Sequence, residues 1–309
     1  MLEVIQDSSN LLYFGVFSTL IFICLLLLRL FNLLRIHLPN CTRNLRSCTQ
    51  WAIITGGSSV IGKGYAHQLA NFGLDIVIIS KELEELKATV EEIKSKYGVR
   101  CCYTHVDFTE ENVFQFLNNS LYGIEIGIFV NCADIEGEIP CQFLQESDEN
   151  VYWSTDLRVR AVTNMTRLIV PFMLARQKGI IINISSIFSA YPCPFLNVYS
   201  SCNALSDRLF RSLSYEYKSQ NVNFQSVIPL NVCNKMEEKI VQDLPILKFF
   251  ILDRDRLVKN AVSTIGLTDY TTGYWLSDVL WQFYLIILFK WYCTYSSLKA
   301  NYRKINTVN

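Results

Sequence analysis

A serine and a tyrosine in the second half of the chain have types and a spacing that could do chemistry. The segment Asn183-Ile184-Ser185-Ser186 indicates a strand end, and Tyr199 follows Ser186 after 199 − 186 = 13 residues, at a predicted helix start. Carbonyl reduction needs a proton donor, such as a phenol, and a hydroxyl that hydrogen-bonds the carbonyl oxygen as charge grows on it. Ser186 and Tyr199 could supply both groups. They could equally be a strand-end cap and a partly buried aromatic without chemistry.

Residues 55–62, TGGSSVIG, form a glycine-rich turn between a predicted strand and a predicted helix. Such a turn lets the backbone approach a pyrophosphate at a helix N-terminus. A helix-capping loop with Ser58 or Ser59 as the cap would look similar. The turn therefore indicates a dinucleotide site only together with the segments that follow it.

The end of the second predicted strand bears on which dinucleotide would bind. This strand ends at Ser80-Lys81, where the adenosine ribose would lie, and no acidic residue is expected there to accept a 2′-hydroxyl. A lysine favours a 2′-phosphate, which predicts NADP rather than NAD. The alternative is that Lys81 is a solvated surface residue.

Short β-branched runs alternate with amphipathic stretches between Trp51 and Val227. The runs predict strands near 52–54, 75–79, 101–105, 126–130, 179–184 and 223–227, and the stretches predict helices near 61–71, 83–97, 110–118, 150–176 and 198–218. Parallel neighbours need a crossover, which is usually helical, so this order predicts an α/β fold with a doubly wound parallel sheet. Ligands bind beyond the carboxyl ends of the strands in such sheets.

An uncharged stretch from Leu11 to Leu28 predicts a transmembrane helix. Basic residues follow it and acidic residues precede it, so the positive-inside rule predicts that the rest of the chain faces the cytosol. No small-residue cleavage site is recognisable, which favours an uncleaved anchor. The alternative is a removed signal peptide and a secreted domain, in which the sequons would be available for glycosylation. The sequons are Asn40, Asn118, Asn164 and Asn183.

Composition limits the partners and the compartment. The 309 residues carry 28 basic and 28 acidic side chains, so no overall charge draws the chain to nucleic acid. The 11 cysteines include no CxxC pair, which predicts reduced thiols in a cytosol-facing domain. His37, His67 and His105 lie far from any cysteine pair at ligand spacing, so no zinc site is expected.

A short apolar and aromatic segment, Val279 to Tyr292, lies near the C-terminus and is interrupted by Gln282 and Lys290. It favours attachment to a membrane interface, or a lid over a lipid-like ligand, rather than a second span. A helix that packs on the core is the alternative. The predicted organisation is an anchor and basic linker over 1–46, a core over 47–235, and substrate-side helices with the apolar segment over 236–309.

The chain resembles the short-chain dehydrogenase/reductases, and within them the branch of microsomal 17β-hydroxysteroid dehydrogenase type 3 and very-long-chain 3-ketoacyl-CoA reductase. The resemblance rests on the segments WAIITGGSSVIGKGYA, VDFT, GIFVN, RQKGIIINISS, YEYKSQNVNFQSVIP and TTGYW, which are spread over almost the whole chain. It implies a Rossmann fold, NADP(H), a steroid or fatty-acyl ligand, a homodimer and a location in the endoplasmic reticulum membrane.

The resemblance also assigns residues to roles. Ser186 and Tyr199 match the catalytic pair, Asp107 matches an acid that contacts the adenine, and Pro229 with Val232 matches the nicotinamide-side loop. Together with the residues of the glycine turn and of the second strand end, the cofactor contacts are Thr55, Gly56, Ser58, Ile61, Gly62, Ser80, Lys81, Asp107, Asn131, Pro229 and Val232.

The chain departs from the family pattern at the catalytic lysine. The family's Tyr-x-x-x-Lys reads Tyr199-Ser200-Ser201-Cys202-Asn203, so the cation that would bind the nicotinamide ribose and lower the pKa of the tyrosine is absent. At an effective dielectric near 20, a cation some 4 Å away is worth roughly 4 kcal/mol, or about three decades of rate.

Further departures surround this one. Val60 replaces the middle glycine of the turn, and a β-branched side chain near the phosphate, at a residue that tolerates unusual φ values badly, predicts weak or absent dinucleotide binding. Arg158 falls at the family's catalytic asparagine, and Asn234 falls near an expected threonine. The family's NNAG reads Asn131-Cys132-Ala133-Asp134.

Together these departures predict a hydroxysteroid-dehydrogenase-like protein that is catalytically inactive or strongly impaired. The alternative is an active NADPH-dependent reductase of 17-ketosteroids or 3-ketoacyl-CoA, in which Arg158 returns positive charge to the ribose side. Arg158 could instead point to solvent from its helix. A secreted binding protein is a third reading.

Overall fold

The computed structural model of the protein describes residues 2–37, 45, 50–132, 141–190, 192–229 and 254–282. The chain divides into two units, residues 1–40 and 41–309. The first unit contains helix α1 (Leu2–His37). Its stretch Tyr13–Ile36 is 24 residues long, is not buried and has a mean hydropathy of 2.4, so by length and composition it could cross a membrane.

The apolar helix is longer than predicted, because the sequence analysis ended it at the first charge. Arg29 lies inside the apolar stretch, which runs 36 − 28 = 8 residues past Leu28. Arg35 lies inside it as well, and two arginines do not end such a stretch, since their long side chains can bring the charge to the edge of an apolar layer.

Within its described residues, the second unit is built on one parallel sheet of seven strands in the order β3-β2-β1-β4-β5-β6-β7. The strands are β1 (Trp51–Thr55), β2 (Asp75–Ser80), β3 (Cys101–His105), β4 (Ile126–Asn131), β5 (Gly179–Ile184), β6 (Val222–Val227) and β7 (Tyr270–Thr271). This confirms the predicted α/β class and its doubly wound parallel sheet. β7 was not predicted, because two residues are too few to show a strand periodicity.

Helices cover both faces of the sheet. One layer contains α2 (Val60–Asn71), α3 (Leu83–Tyr97) and α8 (Arg254–Ser263), and the other contains α4 (Val113–Ser120), α6 (Val162–Ala175) and α7 (Asn197–Glu216). The described residues also form the α-helices α5 (Asp148–Thr155) and α9 (Trp275–Gln282).

Alternate residues of the central strands β1, β2, β4 and β5 fill two cores. Ile54 faces the first layer and Ile53 the second, and both are fully buried because successive strand side chains point to opposite faces. Burying one such side chain contributes about 1.5–3 kcal/mol. The strand ends are thereby held in place for the site that they carry.

Two predicted helices differ from those observed. The helix predicted from residue 110 begins at Val113, because Asp107 and Thr109 form a hydrogen-bonded turn in front of it. The helix predicted over 150–176 is α5 and α6 joined by a π-helical segment, Asp156–Ala161. Such segments place one more residue in a turn and often occur at functional sites, and this one buries Arg158.

The strand order reverses between β1 and β4, which lie side by side at the centre of the sheet. The last residues of these strands, Thr55 and Asn131, are paired in register and buried. Ligands of doubly wound sheets bind in the crevice at such a reversal. The fold therefore places the candidate site at the carboxyl ends of β1 and β4.

Candidate active and cofactor site

The glycine turn after β1 is tightly built. Gly56 has a φ of 63° and donates its N–H to the Ile79 carbonyl at 2.8 Å. The Ser59 hydroxyl accepts the Gly62 N–H at 3.1 Å and caps α2. A Cβ at Gly62 would overlap the Gly56 carbonyl oxygen, so the helix can approach the turn this closely only with glycine at that position. The N-terminus of α2 thus has the arrangement that suits a phosphate.

Val60 is the first residue of α2 and has an ordinary helical conformation, since it is not among the non-glycine residues with positive φ. The expectation of an unusual φ at this position is therefore wrong, because the turn places its positive φ at Gly56 instead. The Val60 side chain is 40% exposed, and hindrance of a phosphate by it stays a prediction. Ile61, the next predicted contact, is half-buried and packs on the first core.

Polar side chains meet where β2 ends beside the glycine turn. The hydroxyl oxygens of Ser58 and Ser80 lie 2.6 Å apart, and they hydrogen-bond to Glu82 Oε2 at 2.7 and 2.5 Å. Burial alone would raise the pKa of Glu82, but the hydrogen bonds from Ser80 and Ser58 outweigh it and hold the pKa below its usual value. The carboxylate is therefore ionised at neutral pH.

The prediction that no acidic residue stands at this strand end is wrong. Glu82 lies two residues beyond the last strand residue, Ser80, and its side chain turns back to that serine and to Ser58. The residue was visible in the sequence Ser80-Lys81-Glu82, but its contact with Ser58 joins residues that are distant along the chain.

Lys81 points to the neighbouring loop and helix. Its Nζ lies 3.9 Å from Asp107 Oδ2 and 4.7 Å from the centroid of the Trp153 ring. Burial opposes ionisation of Asp107, but hydrogen bonds from Thr109 and the charge of Lys81 hold its pKa below the usual value. Trp153 is a site residue that the sequence gave no reason to select. We call the set Ser58, Ser80, Lys81, Glu82 and Asp107 the adenosine end of the site.

A buried polar chain crosses the strand ends. Thr55 Oγ1 donates to Asn131 Oδ1 at 3.1 Å, and Asn131 Nδ2 donates to Asn183 Oδ1 at 2.8 Å. Asn183 Nδ2 donates in turn to Ser206 Oγ on α7 at 3.3 Å. Thr55 and Asn131, predicted as cofactor contacts, thus hold each other, and the sequon at Asn183 is fully buried. Asn183 and Ser206 were not selected as site residues.

Ser186 and Tyr199 lie on adjoining elements beyond β5. Ser186 Oγ accepts the Phe188 N–H at 3.4 Å in the 3-10 turn Ile187–Ala190, and this turn packs on α7. Tyr199 lies in the first turn of α7, with its ring edge-to-face with Phe188 at 6.1 Å between centroids. The structure therefore brings the two predicted catalytic residues to the same end of the sheet.

Asn203, at the position of the family lysine, is used by its own helix. Its Nδ2 donates to the backbone carbonyl oxygen of Tyr199 at 3.0 Å, and the residue is only 4% exposed. The backbone carbonyl oxygen of Asn203 accepts hydrogen bonds from the hydroxyls of Ser185 and Ser206. Asn203 brings no charge to Tyr199 and directs an amide hydrogen to the helix backbone.

Arg158 packs against Tyr199 from the π-helical segment. Its Cζ lies 4.5 Å from the centroid of the Tyr199 ring, and its Nη1 donates to Ser154 Oγ at 2.6 Å. Arg158 is 3% exposed, so the alternative that it points to solvent is wrong. A guanidinium over an aromatic ring is an attractive contact. We call Arg158, Ser186, Tyr199 and Asn203 the nicotinamide end of the site.

The predicted nicotinamide-side loop and the apolar C-terminal segment are described only in part. Pro229 is buried directly after β6, whose end is tied to β7 by the Ile228 N–H and the Thr271 carbonyl at 2.8 Å. Val232 and Asn234 lie outside the described residues, as does most of the segment Val279–Tyr292. In the described part of the chain, Cys24 and Cys101 carry free thiols, and no group of three or more His, Cys, Asp or Glu could hold a metal ion there.

The two ends of the site fit a dinucleotide unequally. The tight turn, the capped helix and an ionised carboxylate at the adenosine end suit a pyrophosphate and a ribose. The nicotinamide end keeps a hydroxyl and a phenol, but its lysine position holds a neutral amide and its asparagine position a buried cation.

Comparisons with known proteins agree with this fold. The family model of the short chain dehydrogenases matches residues 50–245. Rat very-long-chain 3-oxoacyl-CoA reductase is 36% identical over 235 residues, covering 75% of this chain and 73% of that protein.

Solved structures share the fold. A 7β-hydroxysteroid dehydrogenase has a TM-score of 0.68 at 18% identity, covering 77% of this chain and 94% of that one. A short-chain dehydrogenase from Sphingobium yanoikuyae in complex with NADPH has a TM-score of 0.61 at 24% identity, covering 69% of this chain and 82% of that one. By sequence match and fold, the chain belongs to the short-chain dehydrogenase family.

Proposed function

We propose that this protein is a membrane-anchored relative of the very-long-chain 3-oxoacyl-CoA reductases that still binds a nicotinamide dinucleotide but reduces carbonyl groups at a strongly impaired rate. The observation that carries the proposal is the Asn203 side chain, which donates to the Tyr199 carbonyl oxygen of its own helix. A neutral amide used in this way replaces neither function of the family lysine.

The impairment follows from what each residue can do. A bound nicotinamide supplies the hydride in this family's chemistry. Tyr199 would give the proton, and the Ser186 hydroxyl would hydrogen-bond the carbonyl oxygen. A phenol has an ordinary pKa of about 10, and without the lysine's charge it transfers protons slowly at neutral pH.

The location and ligand class are part of the proposal. We place α1 in the endoplasmic reticulum membrane with the second unit facing the cytosol, supported by the exposed apolar stretch Tyr13–Ile36. The ligand class is a fatty-acyl thioester, supported by the relatives' name, or a steroid, which the sequence resemblance implies. The protein is also proposed to form a homodimer. Protease protection in microsomes tests the orientation, and light scattering of the detergent-solubilised protein tests the dimer.

The rate is tested with the full chain in detergent, a 3-oxoacyl-CoA substrate and NADH or NADPH. We expect Asn203→Lys to raise kcat by up to about three decades, since a cation near 4 Å is worth roughly 4 kcal/mol. Asn203→Gln is the matched control, because it adds length without charge, and it should leave kcat low. A wild-type kcat near the common range of about 1–1,000 per second, unchanged in Asn203→Lys, would refute the proposal.

A second candidate function, a slow but working reductase, is favoured by Arg158. Its guanidinium lies 4.5 Å from the Tyr199 ring centroid and is almost fully buried, so its charge is poorly screened by water. A positive charge at this distance favours the phenolate form over the neutral phenol. Arg158 would then carry part of the lysine's electrostatic role from another helix.

Variants of Arg158 separate the two candidates. If Arg158 replaces the lysine, Arg158→Asn lowers kcat and weakens dinucleotide binding, and Arg158→Lys retains part of both because it keeps the charge. The kcat–pH profile should also move to higher pH in Arg158→Asn. Unchanged dinucleotide affinity in Arg158→Asn would remove this candidate and leave the impaired protein.

A further inference from the structure

The carboxylate of Glu82 is held in place by hydrogen bonds from two serines at the adenosine end. Ser80, which is 5% exposed, and Ser58 both hydrogen-bond to Glu82 Oε2. Glu82 itself remains exposed. A carboxylate offers about four acceptor sites, and the two serines share a single oxygen, so further donors from a ligand can be accepted.

The charge at the adenosine end opposes a second phosphate there. In the described part of the chain, its two carboxylates, Glu82 and Asp107, both have a lowered pKa. They lie near one ammonium, that of Lys81, and the His105 ring also lies near Asp107. Lys81 is directed to Asp107 and to the Trp153 ring, whereas the serines orient Glu82. A 2′-phosphate, with a charge of about −1.5 to −2 near neutral pH, would meet excess negative charge.

A ribose with a free 2′-hydroxyl would not be repelled by these carboxylates and could donate a hydrogen bond to one of them. Acidic residues at this strand end of dinucleotide-binding sheets accept the 2′-hydroxyl of NAD, whereas a nearby cation accommodates the 2′-phosphate of NADP. Glu82 provides the acceptor, and Lys81 is already engaged with Asp107 at 3.9 Å. The geometry thus favours the nucleotide that lacks the phosphate.

We infer that Glu82 is a specificity-determining residue that makes this chain prefer NAD(H) to NADP(H), the reverse of the preference that Lys81 alone predicts. The inference rests on the proposed function in one respect, that a dinucleotide binds at the glycine turn. It adds the identity of the nucleotide and the side chain that selects it.

The experiment measures binding, so it does not depend on turnover. Full-length protein in detergent is titrated by calorimetry with ADP-ribose and with its 2′-phosphorylated form, which lack the nicotinamide, and then with NADH and NADPH. We expect the wild type to bind ADP-ribose at least about tenfold more tightly than the 2′-phosphorylated form, since like charges repel across this short range.

Three variants assign the effect to one carboxylate. Glu82→Ser should abolish or reverse the preference, mainly by tightening binding of the 2′-phosphorylated form, and Glu82→Gln should remove the repulsion while keeping the size of the side chain. The matched control is Glu84→Ser, two residues along, whose carboxylate pairs with Lys87 at 3.0 Å. Glu84→Ser should keep the wild-type preference.

The outcomes distinguish this inference from the function on which it rests. Wild-type protein that binds the 2′-phosphorylated form as tightly as ADP-ribose, or a preference that survives in Glu82→Ser and Glu82→Gln, overturns the inference alone. Failure of the wild type to bind any of the four nucleotides overturns both the inference and the dinucleotide binding in the proposed function.

Discussion

The adenosine and nicotinamide ends of the site differ in how their polar groups are used. At the adenosine end, Ser58, Ser80 and Glu82 face one another beside the glycine turn. At the nicotinamide end, the Asn203 amide is directed to its own helix and Arg158 lies on the ring of Tyr199. The proposed site therefore combines an end whose polar groups suit a nucleotide with an end that lacks the lysine charge for proton transfer.

The side chains that we propose for nucleotide binding and those that we propose for proton transfer are different residues on different elements. Interactions that hold a nucleotide equally in the ground and transition states give affinity, and only those that strengthen in the transition state give rate. Loss of a lysine at one end need not remove the carboxylate and the helix N-terminus at the other. The comparison can be tested by changing first a residue of the buried polar chain at the strand ends and then residues at or next to the adenosine end.

The largest expected effect comes from Asn131→Ala, which breaks the buried polar chain between the two ends. The variant leaves the Thr55 hydroxyl and the Asn183 side-chain oxygen without their partner, at a cost of about 1–3 kcal/mol for each buried group. We expect the free energy of unfolding to fall by about 2–4 kcal/mol, measured by urea denaturation in detergent. Asn119→Ala, at an exposed position of α4, is the control. A loss below about 0.5 kcal/mol would show that this network of buried hydrogen bonds contributes little to the stability of the protein.

Gly62→Ala should break the adenosine end. The added Cβ would overlap the Gly56 carbonyl oxygen, and overpacking of this kind costs about 1–3 kcal/mol. ADP-ribose binding should weaken at least about tenfold, which corresponds to 1.4 kcal/mol. Lys63→Ala, the next residue of the same helix, should bind normally. Normal binding by Gly62→Ala would mean that the turn is not where the pyrophosphate lies.

Val60→Gly sharpens the comparison, because it removes the one departure from the family pattern at the glycine turn. If the exposed Val60 side chain hinders the phosphate, ADP-ribose affinity should rise about three- to tenfold, which is up to 1.4 kcal/mol. The loss of folding stability should stay below about 1 kcal/mol, the helix cost of glycine. Val60→Ala should give an intermediate affinity, and equal affinities in all three proteins would exclude hindrance.

The smallest effect concerns the pH dependence of Glu82. Its pKa in the folded protein lies below its ordinary value of 4.5, so it contributes stability above pH 4.5 that is lost as the pH falls through the folded pKa. Glu82→Gln should therefore be less stable than the wild type at neutral pH, by at most about 1 kcal/mol for an exposed group. The difference in melting temperature should close at pH values below 4.5. A difference that stayed constant with pH would indicate a neutral hydrogen-bonding role.

The sequence predicted the parts of the fold that depend on local pattern. The alternation of apolar runs and amphipathic stretches predicted the positions of six strands along the chain and the helices between them, because buried parallel strands and their crossovers leave clear periodicities. It did not predict the order of the strands in the sheet. It did not predict the π-helical segment at Asp156–Ala161, since no residue type there marks the extra residue. That segment determines where Arg158 points.

The candidate site was predicted unevenly for the same reason. Ser186 and Tyr199 were selected from their spacing, and they do lie on adjoining elements. Glu82 was missed because its return to Ser58 depends on a contact between residues 24 positions apart. The burial of Arg158 against Tyr199 is likewise a tertiary contact between two helices. Patterns along the chain do not record such contacts.

The buried polar chain has a consequence for how such sequences are interpreted. Thr55, Asn131 and Asn183 each satisfy a hydrogen-bonding group inside the protein, so replacing any of them leaves an unpaired partner in the core even where no reaction occurs. Replacing any of these three residues therefore lowers the stability of the fold, whether or not the protein catalyses a reaction. Folding alone is therefore enough to explain why Thr55, Asn131 and Asn183 are present. Activity has to be inferred from residues that would touch the cofactor or the substrate, such as Tyr199 and the residue at the lysine position.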